Sequence, residues 1–81
     1  MHDHDEKGAS PAEVRAARKE MQRLERQMSK ITAQQEKVHA QMAEQATDHQ
    51  AVLELDAKLR ALTTEQETLE EAWLAAAEQA G

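Results

Sequence analysis

The apolar residues of this 81-residue chain recur alternately three and four positions apart in two separate stretches. An average spacing of 3.5 residues is typical of the seam of a coiled coil. The two stretches are out of phase, because continuing the first pattern past Met42 would put Asp56 in the seam instead of Leu55. We therefore predict an all-α fold, an antiparallel two-helix coiled-coil hairpin. One long helix with a local register defect is the alternative.

Capping signals predict where the two helices begin. Ser10 supplies an N-cap hydroxyl, Pro11 fits the first helical position, and Glu13 can close a capping box. Thr47 and Gln50 repeat the box pattern, which predicts that the second helix starts there. The resulting organisation is a disordered linker over residues 1–10, helix 1 over 11–46 and helix 2 over 47–80, with 11–80 forming one coiled-coil domain.

A turn near residues 48 and 49 also predicts which seam residues face each other. Antiparallel pairing would place Gln35 against Leu62 and Ile31 against Gln66, so the two seam glutamines are not expected to meet. Each amide is expected to reach sideways to water at some cost in stability, while disfavouring other registers. The remaining predicted pairs are Met42 with Leu55, Val38 with Leu59, Met28 with Leu69, Leu24 with Trp73, and Met21 with Ala76.

Composition narrows the classes of protein that this chain can represent. With no phenylalanine or tyrosine and with alanine making up half of its apolar residues, it can bury a narrow seam but no broad core. The longest apolar run, residues 72–77, is far shorter than the ~20 residues of a membrane span. We expect a cytoplasmic protein without membrane contact, folded as a monomeric hairpin. The chain has no cysteine, which excludes disulfides and thiolate metal sites.

The sequence contains no catalytic pattern and one metal-like cluster, at its start. Its only glycines are Gly8 and Gly81, so it has no loop that could cradle a nucleotide phosphate. Neither serine has a histidine and carboxylate arranged around it as in a nucleophile triad. The cluster His2, Asp3, His4 and Asp5 lies in a short acidic segment for which disorder is the stronger interpretation. We expect no enzyme activity, no cofactor and no metal site within this chain.

The charge is divided unevenly between the two helices. The net charge is −6, yet residues 11–46 hold seven lysines and arginines against five acidic residues. Five of these cations share two neighbouring heptad positions opposite the seam, where they could follow a phosphate backbone. The alternative is an ordinary solvated outer face that Glu20 and Glu36 screen. The candidate nucleic-acid-binding residues are Arg15, Arg18, Lys19, Arg23, Arg26, Lys30 and Lys37.

The residues together resemble a known family. The basic run 18–20, the break at residues 47–48, the leucines that follow it and the ending LEEAWL at 69–74 look like the C-terminal coiled-coil domain of bacterial ABC-F ATPases of the Uup type. The resemblance covers roughly residues 13–78. It implies a non-catalytic appendage of a cytosolic protein that does not transport and that binds ATP and Mg in its other ABC domains, outside this chain.

The resemblance also implies partners. In the Uup branch the appended hairpin is associated with DNA binding, and the wider family acts on ribosomes or nucleic acid. The partners expected here are therefore DNA or ribosomal RNA, bound weakly by the isolated chain because its net charge is negative, together with the ABC domains of the same parent protein. The main alternative is a coiled coil for protein interaction or dimerisation. A less favoured alternative is a tRNA-binding helical arm.

Overall fold

The computed structural model describes residues 10–81, which form two long helices packed against each other. Helix α1 spans Pro11–Glu44 and helix α2 spans His49–Ala80. At 1.5 Å of rise per residue each helix is about 50 Å long. The predicted hairpin is confirmed, and the alternative of one continuous helix is wrong. Apart from Ser10, the predicted linker over residues 1–10 lies outside the described residues.

Helix α1 begins with the predicted capping box. The Glu13 backbone N–H donates to the Ser10 hydroxyl oxygen at 3.2 Å, and the Ser10 N–H donates to the Glu13 carboxylate at 3.0 Å. Pro11 occupies the first turn, where its missing N–H leaves no hydrogen bond unmade. The start of α1 is therefore set by four consecutive residues and needs no contact with the rest of the fold.

The turn between the helices differs from the prediction. The N-cap of α2 is Asp48 rather than Thr47, and its carboxylate accepts a hydrogen bond from the Ala51 N–H at 3.1 Å. The Asp48 N–H donates in turn to the Gln45 carbonyl at 2.9 Å. Residues 45–48 thus form a tight connection, and each helix is shorter at the turn than predicted. An ionised carboxylate serves well as a cap because it also favours the positive end of the helix dipole.

The seam keeps a heptad repeat along the whole of α1. The buried residues of this helix are seven positions apart, and Leu24 and Val38 are the most enclosed, each with 2% of its surface exposed. Strict seven-residue spacing keeps one face of each helix toward its partner. On α2 only Leu62 is buried to the same degree. The buried positions of α1 are Ala17, Leu24, Ile31 and Val38.

The core is densest in the half of the hairpin nearer the turn. Ile31, Val38 and Leu62 form its buried cluster. Large aliphatic side chains give way to alanine toward the open end, where Ala17 fills a seam position. Burial per residue is therefore lower at the open end. The partly buried side chains packed against the cluster are Met42, Leu55, Leu59 and Leu69.

The two seam glutamines meet, contrary to the prediction. The Gln35 side-chain amide donates to the Gln66 carbonyl oxygen at 3.0 Å and lies 3.5 Å from the Thr63 hydroxyl. In the predicted register these glutamines occupy adjacent layers, about 6 Å apart along the helix axis, which a glutamine side chain can span. The prediction failed because it considered only facing positions and not diagonal neighbours.

Candidate nucleic-acid interface

All seven predicted cations lie on α1, and all seven are exposed. Residues 19, 23, 26 and 30 follow one another at steps of four, three and four, so that their side chains share one outward face. Lys37 continues this face one heptad further. We call these five residues, Lys19, Arg23, Arg26, Lys30 and Lys37, the outer stripe.

The other two predicted residues stand apart from the outer stripe. Arg15 lies at its edge, nearer the start of α1. Arg18 lies seven residues before Glu25 and therefore shares its helix face, next to the seam. The structure thus brings five of the seven predicted residues together, with Arg15 adjoining them and Arg18 turned toward a different side.

One member of the outer stripe is already paired. The Arg23 Nε donates to the Glu20 carboxylate at 2.9 Å, and a second hydrogen bond joins the Arg23 Nη2 to the other carboxylate oxygen. Hydrogen bonding from Arg23 lowers the pKa of Glu20, so the carboxylate stays ionised further into the acidic range. Water screens an exposed pair of this kind, so that a phosphate can replace Glu20 as the partner of Arg23.

The two lateral sides of the hairpin, where the helices meet on either side of the seam, differ in structure. On one side the Trp73 indole Nε1 donates to the Glu25 carboxylate at 2.9 Å, and Gln35 reaches Thr63. We call this the tryptophan side. It closes the seam with hydrogen bonds between the helices.

The opposite side carries a shallow groove at the open end, and we call it the groove side. Glu20 lines this groove while Glu25 faces the tryptophan side, because Met21 and Leu24 of the seam lie between them on the helix surface. The lining is mostly alanine, whose side chain is a single methyl group. The residues are Glu13, Ala16, Ala17 and Glu20 of α1 and Ala72, Ala75, Ala76 and Gln79 of α2.

The hydrogen bond of Trp73 was missed by the sequence analysis, which predicted only packing of this residue in the seam. Its indole N–H is held by Glu25, and the side chain is half-buried. The sequence did contain a sign of this hydrogen bond. A buried tryptophan usually needs a hydrogen-bond acceptor, and Glu25 directly follows Leu24, the residue predicted to face Trp73. Trp73 is therefore engaged within the hairpin and is not a free platform on which a base could stack.

The described residues 10–81 contain neither a candidate metal site nor a candidate membrane-spanning helix. They contain no group of three or more histidine, cysteine or acidic side chains that could hold a metal ion. Neither α1 nor α2 is long and apolar enough to cross a membrane. The cluster at His2 to Asp5 lies outside the described residues, so its metal binding is untested.

Comparison with known proteins supports the resemblance seen in the sequence. The family model described as ABC transporter C-terminal domain matches residues 14–78, which is nearly the whole hairpin. No curated protein and no solved structure matches the chain. The match begins inside the first turn of α1 and ends inside the last turn of α2, so it covers both helices and the turn between them.

Proposed function

The chain belongs to the ABC transporter C-terminal domain family, and from this premise we propose that it is the appendage of an ABC-F ATPase of the Uup type and contacts the phosphate backbone of DNA or ribosomal RNA. It does so in the cytoplasm and without catalysis of its own. ATP and Mg are bound by the other domains of the parent protein. The hairpin supplies a contact surface that those domains position.

One observation carries this proposal, namely the outer stripe. Lys19, Arg23, Arg26 and Lys30 present four cations over about 17 Å of helix. None of them is needed to fill the seam, because every one is exposed. Phosphate contacts of this kind give affinity without reading sequence, which suits an appendage that works on many target sites.

The overall charge limits the affinity of the isolated chain. Its net charge of −6 repels a polyanion at long range, so we expect a dissociation constant in the micromolar range or weaker at physiological salt. Attachment to the ABC domains raises the effective concentration of the hairpin at a target that those domains already hold. Weak binding by the chain alone is therefore sufficient for this function.

The experiment compares the wild-type chain with a variant in which Lys19, Arg23, Arg26 and Lys30 are all changed to glutamine. Labelled duplex DNA and structured RNA are titrated with each protein at low and at moderate salt. We expect the variant to keep its helical circular dichroism and to lose binding. A charge-preserving control, Lys19→Arg with Lys30→Arg, should bind as the wild type does. Equal curves for the wild type and the quadruple variant would remove this function from the outer stripe.

A second candidate function, protein–protein interaction, is favoured by two exposed leucines on α2. Leu53 has 51% of its surface exposed and Leu74 has 58%. They lie 21 residues apart, or three heptads, and so share one row along α2. Salt distinguishes the two functions, because phosphate contacts weaken steeply as salt rises whereas an apolar interface holds.

A further inference from the structure

The heptad repeat assigns residues along the whole hairpin to its groove side or its tryptophan side. The groove marks one side at the open end, and the buried row of α1 shows that the heptad repeat holds without drift. Residues seven or fourteen positions from a groove-lining residue therefore lie on the groove side as well. The same reasoning extends the tryptophan side from Glu25 and Thr63.

The central part of the groove side is basic. Ala16 lines the groove, and the positions that repeat it every seven residues are Arg23, Lys30 and Lys37, followed by Glu44 at the end of α1. On α2, Ala72 lines the groove, and Lys58 lies fourteen residues before it in the same row. Glu65, between them, is the one acidic residue of that row. The seam-flanking row of α1 is uncharged here and consists of Gln27, Gln34 and Gln41.

The central part of the tryptophan side is acidic. Glu25 faces it directly, and Glu70 follows Thr63 by seven residues. Glu36 and Glu67 lie one helical turn beyond these rows, on the same side. The cation here is Arg60, whose Nε is 3.0 Å from the Asp56 carboxylate, and Arg18 lies on the same side one heptad before Glu25, toward the open end. The two sides of the hairpin thus carry opposite charge over the same length.

We propose that the nucleic acid lies against the groove side and that Lys58 of α2 is a further phosphate-contacting residue. This inference rests on the proposed function and deepens it, because it adds a residue of α2 to the outer face of α1 and so builds the surface from both helices. The hydrogen bonds from Gln35 to Thr63 and from Trp73 to Glu25 set the register of the helices. By that register Lys58 lies level with the stretch between Lys37 and Gln41, where it extends the outer stripe toward the turn.

The chemistry of this surface indicates the class of ligand. Its cations are lysine and arginine, which bind phosphate and outnumber the single carboxylate of its central part, that of Glu65, and its glutamine amides can donate to phosphate or sugar oxygens. Its central part offers no aromatic side chain on which an unpaired base could stack, since Trp73 is bound to Glu25. The surface therefore fits the closely spaced phosphates of a double helix better than a single strand with exposed bases.

Lys58 and Arg60 provide a matched pair of variants for the test. Both are exposed, both lie on α2 two residues apart, and they face opposite sides of the hairpin. The variants Lys58→Gln and Arg60→Gln remove the same charge from the same helix. Each is titrated against a labelled DNA duplex and against a single strand of equal length, at several salt concentrations, with circular dichroism as the control for folding.

We expect Lys58→Gln to weaken duplex binding roughly threefold to tenfold and to lower the salt slope by about one. We expect Arg60→Gln to leave both quantities unchanged and the duplex to bind more tightly than the single strand. Equal effects of the two variants, or no effect of either, would overturn the inference.

The quadruple variant of the outer stripe is titrated in parallel. If it alone loses binding, the proposed function stands and the role of Lys58 is refuted. If it binds as the wild type does, both are refuted.

Discussion

The hydrogen bond between Gln35 and Gln66 yields a prediction about the stability of the hairpin. Each glutamine occupies a seam position that leucine would fill better, and their amides are joined at 3.0 Å in a partly buried site. Changing one of them to leucine adds apolar burial of about 1.5 kcal/mol. It also removes a hydrogen bond and leaves the remaining amide without its partner, at a cost of about 1 to 2 kcal/mol.

Because these effects oppose each other, the two single variants should have nearly the stability of the wild type, whereas the double variant should be more stable than the wild type. We expect Gln35→Leu and Gln66→Leu each to change the free energy of unfolding by less than about 1 kcal/mol. The double variant gains two leucines and leaves no unpaired amide, so it should be about 2 kcal/mol more stable than the wild type. The coupling between the two positions should therefore be about 1 to 2 kcal/mol.

Urea unfolding followed by circular dichroism measures all four proteins, and Trp73 fluorescence gives an independent probe because the chain has no other aromatic residue. Gln34→Leu is the matched control, since Gln34 is exposed beside Gln35 and its change should alter stability by less than about 0.5 kcal/mol. Additive effects, in which each single variant stabilises by half of the double variant's gain, would refute the role given to this hydrogen bond.

Three further predictions follow from the seam and from the paired arginine. Leu62→Ala should lower the free energy of unfolding by about 2 to 4 kcal/mol, measured by the same urea titration, because Leu62 is the most buried residue described on α2. Cysteines placed at Met28 and Leu69 should cross-link within one molecule, as seen by gel mobility, whereas one continuous helix would hold them about 60 Å apart. Glu20→Gln should free Arg23 and strengthen nucleic-acid binding, with a salt slope steeper by up to about one.

Each of these predictions has its own control. Leu53→Ala removes the same side chain from an exposed position of α2 and should have little effect on stability, so equal losses at positions 53 and 62 would contradict the assigned seam. Cross-links that form only between molecules would contradict the hairpin. For Glu20, the control is Glu36→Gln, because Glu36 lies toward the tryptophan side, and the interface on the groove side predicts a smaller effect there.

The sequence was sufficient for those features that depend on local chemistry or on periodicity. The start of α1 was predicted correctly because Ser10 and Glu13 satisfy each other within one turn. The turn was misplaced because Thr47 and Asp48 are both good caps, and the contact that decides between them is the hydrogen bond to Ala51. Aspartate is the more favourable N-cap of the two, whereas the capping-box spacing between Thr47 and Gln50 pointed to Thr47.

The features that the sequence analysis missed depend on contacts between the helices. The exposed cations of α1 could be identified from spacing within one helix, but whether they bind nucleic acid is untested. The role proposed for Lys58 could not be inferred in this way, because it requires knowing which side of α2 continues which side of α1. Two hydrogen bonds and the alanine groove supply that information, and no pattern within a single helix contains it.

The central claim is that this hairpin binds nucleic acid through phosphate contacts, and the salt dependence of duplex binding by the wild-type chain tests it most directly. The logarithm of the association constant is plotted against the logarithm of the salt concentration. If four or five of the six residues formed by the outer stripe and Lys58 contact phosphate at once, we predict a straight line with a slope of about −4, at about −0.9 per contact. A slope near zero, or no binding at the lowest salt concentration, would contradict the claim.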